Sequence, residues 1–154
     1  MKSKAPLALM EQMAMILVFA LAAALCLQAF VKSDAISSRS DARDRAVSLC
    51  QTTAEAIRHA GGGEESALES AAERLGLSYG AYAPEGAPLE AHYNADWTLC
   101  ADREYEYWLT ARPAESGLPG LAMAQVQVWQ SGRDQPLFEL EVAWQTEKEA
   151  GDHD

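Results

Sequence analysis

Apolar residues follow one another almost unbroken from Gln12 to Val31, thin out to a helical spacing, and in the last third of the chain alternate with polar ones. The first run holds about twenty residues, the length a helix needs to cross a bilayer, and none of them is charged. Beyond Val31 neither Pro nor Gly occurs before Gly61, and Val47, Cys50, Ala54 and Ile57 recur at steps of three and four. That spacing puts the four on one helical face. A single helix from about Leu7 to about Ala60, roughly 80 Å long at 1.5 Å per residue, is therefore expected. Ser37 and Ser38 are its weak points, where it is expected to bend or fray. Gly61, Gly62 and Gly63 end it, since glycine adopts the left-handed conformation that closes a helix.

Glu64 to Leu75 reads as a second, short helix with Leu68, Ala71, Ala72 and Leu75 on one stripe and Gly76 as its stop. Glu64 and Glu65 in its first turn suit the helix dipole. A Gly/Pro-rich connection follows through Gly80, Pro84, Gly86 and Pro88, then a turn from Tyr93 to Trp97 centred on Asn94. Period-two alternation then predicts three half-buried strands, Glu104 to Arg112, Ala122 to Gln130 and Leu137 to Gln145. Ser131 to Gln135 is short enough to join the last two as an antiparallel hairpin. The strands' apolar faces need a cover, and the Val47, Cys50, Ala54 and Ile57 stripe supplies helix-to-sheet packing. The expected fold class is α+β, with a long N-terminal membrane and stalk helix packed on a small antiparallel sheet and one additional short helix. The expected segments are a leader-like stretch 1–6, a transmembrane helix 7–31, an amphipathic stalk helix 32–60, a soluble α+β head 64–146 and a disordered acidic tail 147–154.

Charge sharpens this division. Of the 154 residues, 1–63 carry seven Lys/Arg against five Asp/Glu, whereas 64–154 carry five against eighteen. So acidic a head repels phosphate backbones and anionic lipid, and direct nucleic-acid binding by it is not expected. Lys2 and Lys4 precede the apolar run, a flank that secretory signals and retained anchors share. The run exceeds the 7 to 15 residues usual for a signal core, which favours the anchor; cleavage in the Leu21-Ala22-Ala23-Ala24 stretch is the alternative. Leu25 before Cys26 is a poor lipoprotein site. Lys32, Arg39, Arg43 and Arg45 follow the run and blunt the positive-inside argument for orientation.

Candidate chemistry is sparse. Cys50 and Cys100 are either a disulfide pair or two buried thiols, since geometry decides between them. His59, His92 and His153 are scattered, without the spacing of a zinc site, and no calcium-loop pattern occurs in the acidic head. Gly61 to Gly63 lack the Lys-Ser/Thr of a phosphate loop. Ser116-Gly117 and Ser131-Gly132 have no nucleophile-elbow context. No catalytic residue, metal or cofactor is read from the chain, and an enzyme is not expected. Trp108 and Trp129 offer either a binding face or ordinary packing and subunit contact.

The one charge at the mouth of the apolar run is Glu11. The stretch Leu7-Ala8-Leu9-Met10-Glu11, followed by Met13-Ala14-Met15-Ile16-Leu17-Val18-Phe19-Ala20-Leu21, resembles the mature start of the type IV pilin and type II secretion pseudopilin superfamily. The resemblance is specific over about 25 residues and architectural over the remainder. It implies a noncatalytic filament subunit, cytoplasmic at its N-terminus, with its head outside the cell membrane. It also implies partners: other pilin-like subunits, membrane assembly machinery and a prepilin peptidase. Leu7 would be the first mature residue, and Pro6 stands where that peptidase normally finds Gly. Glu11 would neutralise the amino terminus of an adjoining subunit, an attraction that is strong in low dielectric; alternatively it rests at the water interface, favoured by the helix N-terminus. From the residues alone, the competing reading is a monomeric, single-pass, membrane-anchored extracytoplasmic binding domain.

Overall fold

From Leu7 to Ala60 the chain has no Gly or Pro, and its backbone forms one uninterrupted helix, α1 (Ala5–Ala60), of 56 residues. The computed structural model describes residues 5–78, 86–100 and 105–146. The helix starts two residues ahead of Leu7, with Pro6 in its first turn, where a missing N–H leaves no intrahelical bond unmade. Ser37 and Ser38 lie inside it without a break. After it come α2 (Glu64–Arg74), β1 (Leu89–Tyr93), β2 (Tyr107–Ala114), β3 (Leu121–Gln130) and β4 (Phe138–Gln145). This is the expected α+β layout. Leader residues 1–4, Gly80 and Pro84 of the connection, Glu104 and the acidic tail 147–154 lie outside the described residues.

The chain divides into two compact units, Met1–Asp41 and Ala42–Asp154, and α1 contributes to both. In the first unit every side chain from Ala8 to Asp41 is exposed. The second unit has a core. There α1 buries Ala42, Ala46, Cys50, Thr53 and Ile57, and α2 buries Ala67, Leu68, Ala71 and Ala72. Both pack into one cluster with the sheet's inner residues, among them Leu89, Leu109, Val126, Val128 and Trp144. Cys50 Sγ lies 3.9 Å from the Val126 carbonyl oxygen, and Trp144 Nε1 donates to the Gly62 carbonyl at 3.3 Å, just past the end of α1. Thr53 is buried without a lost hydrogen bond because its hydroxyl donates to the Leu49 carbonyl one turn back at 2.8 Å.

The four strands form an antiparallel sheet in the order β1-β2-β3-β4. Strands β3 and β4 are the expected hairpin, turned through Gly132, with Arg133 N–H donating to Gln130 at 3.2 Å. Strand β2 starts at Tyr107 and not at Glu104, and it runs on through Pro113 to Ala114. A proline is tolerated there for a definite reason. Val128 accepts from Leu137 on the β4 side, so the even-numbered β3 residues face β4 and the odd-numbered β2 residues face β1. Pairing with β1 ends at Leu89 opposite Ala111. Pro113 thus turns its N–H-free nitrogen to the β1 side beyond the last paired residues, Leu89 and Ala111, where the ladder asks no donor of it.

Strand β1 was not expected. It is only five residues long, and its period-two pattern is carried by Leu89, Ala91 and Tyr93 alone. The turn after it is the one read at Asn94: the Asn94 side chain accepts from the Asp96 and Thr98 amides at 3.0 and 2.9 Å. Trp97 closes this turn with φ 61, a conformation uncommon for a bulky side chain. Its ring stacks on Tyr107 at 4.1 Å, a packing that holds it there.

Gly76 ends α2. Its own N–H bonds to Glu73 at 3.0 Å, and that of Leu77 reaches back to Ala72 at 2.8 Å, the paired closure of a Schellman motif. Gly76 holds φ at 75, and a Cβ built there meets nothing within 4 Å. A side chain at this position therefore strains only the backbone. Gly76→Ala is expected to lower the stability of the second unit by about 1–2 kcal/mol, seen as an earlier urea midpoint with unchanged slope.

Candidate functional site

Among the described residues, nothing in the first unit covers its apolar side chains. Phe19, Phe30 and Met10 are 77%, 75% and 74% exposed, values that water disfavours and lipid or another helix removes. The helix is long and apolar enough to cross a membrane, with a mean hydropathy of 2.5 over its most apolar window. Glu11 belongs to this surface. It shares a shallow, open trough with Ala14, Met15, Val18, Phe19 and Ala22. Positions 11, 14, 15, 18 and 22 form one stripe of a 3.6-residue helix. The small Ala14 and Ala22 make the hollow, and the larger side chains make its walls. Among the described residues Glu11 has neither an ion-pair nor a hydrogen-bond partner. The Pro6–Leu7 bond, the candidate processing site, falls in the first turn of α1.

The remaining expected site residues lie in the second unit. Of the helix-to-sheet stripe, Cys50 and Ile57 are fully buried, whereas Val47 and Ala54 are half-buried. Ala42, Ala46 and Thr53, which apolarity did not single out, complete the contact line. The disulfide considered for Cys50 and Cys100 is not formed; both are free thiols. Cys50 sits beneath β3, while the Cys100 amide bonds to the His92 carbonyl on the outer edge of β1, at 2.9 Å. Strands lie about 4.8 Å apart, so the two cysteines are separated by about three strand spacings, well beyond the roughly 7 Å that a disulfide spans between Cα atoms.

Trp108 and Trp129 stand opposite each other on the sheet face away from the helices. Their rings stack, 6.2 Å between centroids and 7° between planes. Tyr105 meets Trp108 edge-on at 5.5 Å and stacks on His92 at 4.2 Å. Tyr105 thus joins this outer row, because β2 begins only at Tyr107. The row spends its ring faces on one another, which is the cross-strand packing that stabilises a sheet. On the inner side, burial raises the Tyr93 hydroxyl above its usual range. Tyr107 is also raised, first by burial and then by the charge and hydrogen bond of Glu106, against the opposing pull of Arg133 and Arg45.

A polar groove between α1 and α2 is lined by Glu55, His59, Ser70, Glu73 and Arg74. Among the described residues no three His, Cys, Asp or Glu side chains gather as a metal site would require. Of the sequence-singled residues, only Glu11 therefore stands on an unpartnered surface of a kind that implies an occupant. Compared with known protein families, with curated proteins and with solved structures, the chain matches none of them.

Proposed function

We propose that this protein is a noncatalytic, pilin-like structural subunit that is held in the cell membrane by α1 and assembles with other subunits through that helix. The observation that carries the reading is the exposed apolar stripe of α1 with one carboxylate at its head. A plain anchor needs apolar length and nothing more. A carboxylate at the edge of the hydrocarbon is costly unless it is paired or reaches water, and a bundle of helices provides the pairing. The resemblance of residues 7–31 to pilins and pseudopilins supplies the kind of bundle, a type IV pilus or type II secretion filament. It also supplies the orientation, with the head extracytoplasmic. The acidic second unit suits display in water.

The test is association within the membrane. Glu11→Ala is expected to weaken helix self-association roughly three- to tenfold, the range of polar contacts between membrane helices, while expression and insertion stay unchanged. Energy transfer between labelled full-length copies in vesicles reads this directly. If residues 7–31 can instead be replaced by an unrelated apolar anchor with function intact, the protein is a tethered monomeric binding domain and the filament reading fails.

A further inference from the structure

We propose that the open edge of β4 takes up an extended segment of a partner protein as a further antiparallel strand, one in which two Lys or Arg side chains flank a single apolar residue. The inference concerns the second unit alone and is independent of whether α1 builds a filament or only tethers the chain.

The sheet has two edges, β1 and β4, and they are not alike. Beyond β1 the chain folds back, with Leu99 bridged to Tyr93 and the Cys100 N–H donating to the His92 carbonyl at 2.9 Å. Beyond β4 no described residue continues the ladder. The Thr146 N–H donates to the Gly120 carbonyl at 3.1 Å, one residue past the Gln145–Leu121 pair. Bonding alternates along an antiparallel ladder, so the even-numbered β4 residues bond to β3, and Glu139, Glu141 and Ala143 turn their N–H and C=O groups outward. All three residues are exposed, and among the described residues none of these outward groups has a hydrogen-bond partner.

The side chains along this edge select what fits it. Glu139 and Glu141 stand on the sheet face away from the helices, where Glu139 accepts from Gln127 Nε2 at 3.0 Å. Phe138 and Leu140 lie half-buried on the inner face, packed against the core. Residues of an added antiparallel strand directly opposite Glu139 and Glu141 exchange both backbone bonds with them, and opposite charges at such positions stabilise the pair whereas like charges do not. The residue between them falls beside Leu140 and extends the apolar face. A second copy supplies no such strand: its β4 sets Glu against Glu, and its β1 brings Glu90 and neither Lys nor Arg. Edge charges guard a sheet against pairing with its own kind, and that guard leaves a basic strand of another protein as the complement. The acidic surface of the second unit draws such a segment in.

The test uses the full-length, detergent-solubilised chain and a short labelled peptide of alternating Lys and Val, with affinity read by fluorescence anisotropy and backbone protection by hydrogen exchange. The peptide is expected to bind and to slow exchange in β4. A peptide of the same composition with its lysines grouped should bind roughly tenfold more weakly. Methylating the Lys backbone nitrogens, which face β4, should cost about tenfold or more, while methylating those of Val should leave affinity unchanged. Glu139→Lys with Glu141→Lys should lose about tenfold and prefer a peptide of alternating Glu and Val. Glu69→Lys with Glu73→Lys, the same change in net charge at exposed positions of α2, should bind like the wild type. Equal binding of the grouped peptide, equal losses in the two double variants, or a bound peptide that leaves β4 exchange unchanged would overturn the added strand. None of these outcomes bears on the association of copies through α1, which energy transfer reads separately.

Discussion

Ile57→Ala is expected to destabilise the second unit by about 2–5 kcal/mol, the range for a buried large-to-small change that leaves a cavity. Ile57 is fully buried, and among the described residues of α1 it is the largest buried side chain, the others being Ala42, Ala46, Cys50 and Thr53, with Leu49 half-buried against the same core. Short side chains let the helix backbone come close to the sheet but contribute little apolar area each. At roughly 25 cal/mol per Å², Ile57 therefore holds a disproportionate share of what α1 buries in the core. Such a loss is a large fraction of the 5–15 kcal/mol that a domain has in total. Val47→Ala, half-buried on the shoulder of the same helix, should cost under about 1 kcal/mol. All four tryptophans fall in the second unit, so urea unfolding followed by tryptophan fluorescence reports that unit in the intact, detergent-solubilised chain. Equal losses at the two positions would mean that the helix is rotated relative to the contact line seen here.

That contrast also shows how far the sequence could be read. Val47, Cys50, Ala54 and Ile57 stand out because they are the apolar positions at helical spacing. The surface against the sheet instead selects for small volume, so it takes Ala42, Ala46 and a Thr53 whose hydroxyl is satisfied within its own helix. Volume against a partner is tertiary information that hydropathy does not carry. Features set by local backbone chemistry were legible: the glycine stop at Gly76, the Asn94 turn, and the alternation from Ala122 to Val128 that places every second β3 side chain in the core. Strand β1 was not, because five residues bearing Glu90 and His92 between a proline and a turn show little periodicity until β2 is beside them. The same limit set the start of β2 at Glu104, where the strand begins at Tyr107. Glu11 was legible for the opposite reason. A lone charge against twenty uncharged residues needs no neighbour to be noticed.

Cys50 should resist alkylation in the native protein while Cys100 reacts, and Cys50 itself should react more than about a thousandfold slower in the native protein than in urea. Burial pushes the Cys50 thiol up from about 9 to about 12. The thiolate is the reacting species, and this rise alone cuts its fraction about a thousandfold at any pH below 9. Full burial of the side chain adds a steric block. An impermeant maleimide at pH 8, read by peptide mass spectrometry, should mark Cys100 at once and Cys50 only in urea. The same shift fixes a sign for stability. Between pH 9 and 12 the unfolded chain gives up the Cys50 proton and the folded chain keeps it, so the folded state binds more protons. Stability is fully present below pH 9 and falls above it, by about 1.4 kcal/mol per pH unit for a single group. Tyr93 and Tyr107 are raised as well and act in the same direction, so the Cys50 share is isolated by comparison with Cys50→Ala. That variant should begin about 1 kcal/mol less stable at pH 8 from the small cavity it leaves, and then lose stability less steeply from pH 9 to 11. Parallel curves for the two proteins, or native Cys50 labelling as fast as Cys100, would mean that the thiol is open to water and that α1 does not lie closed over β3.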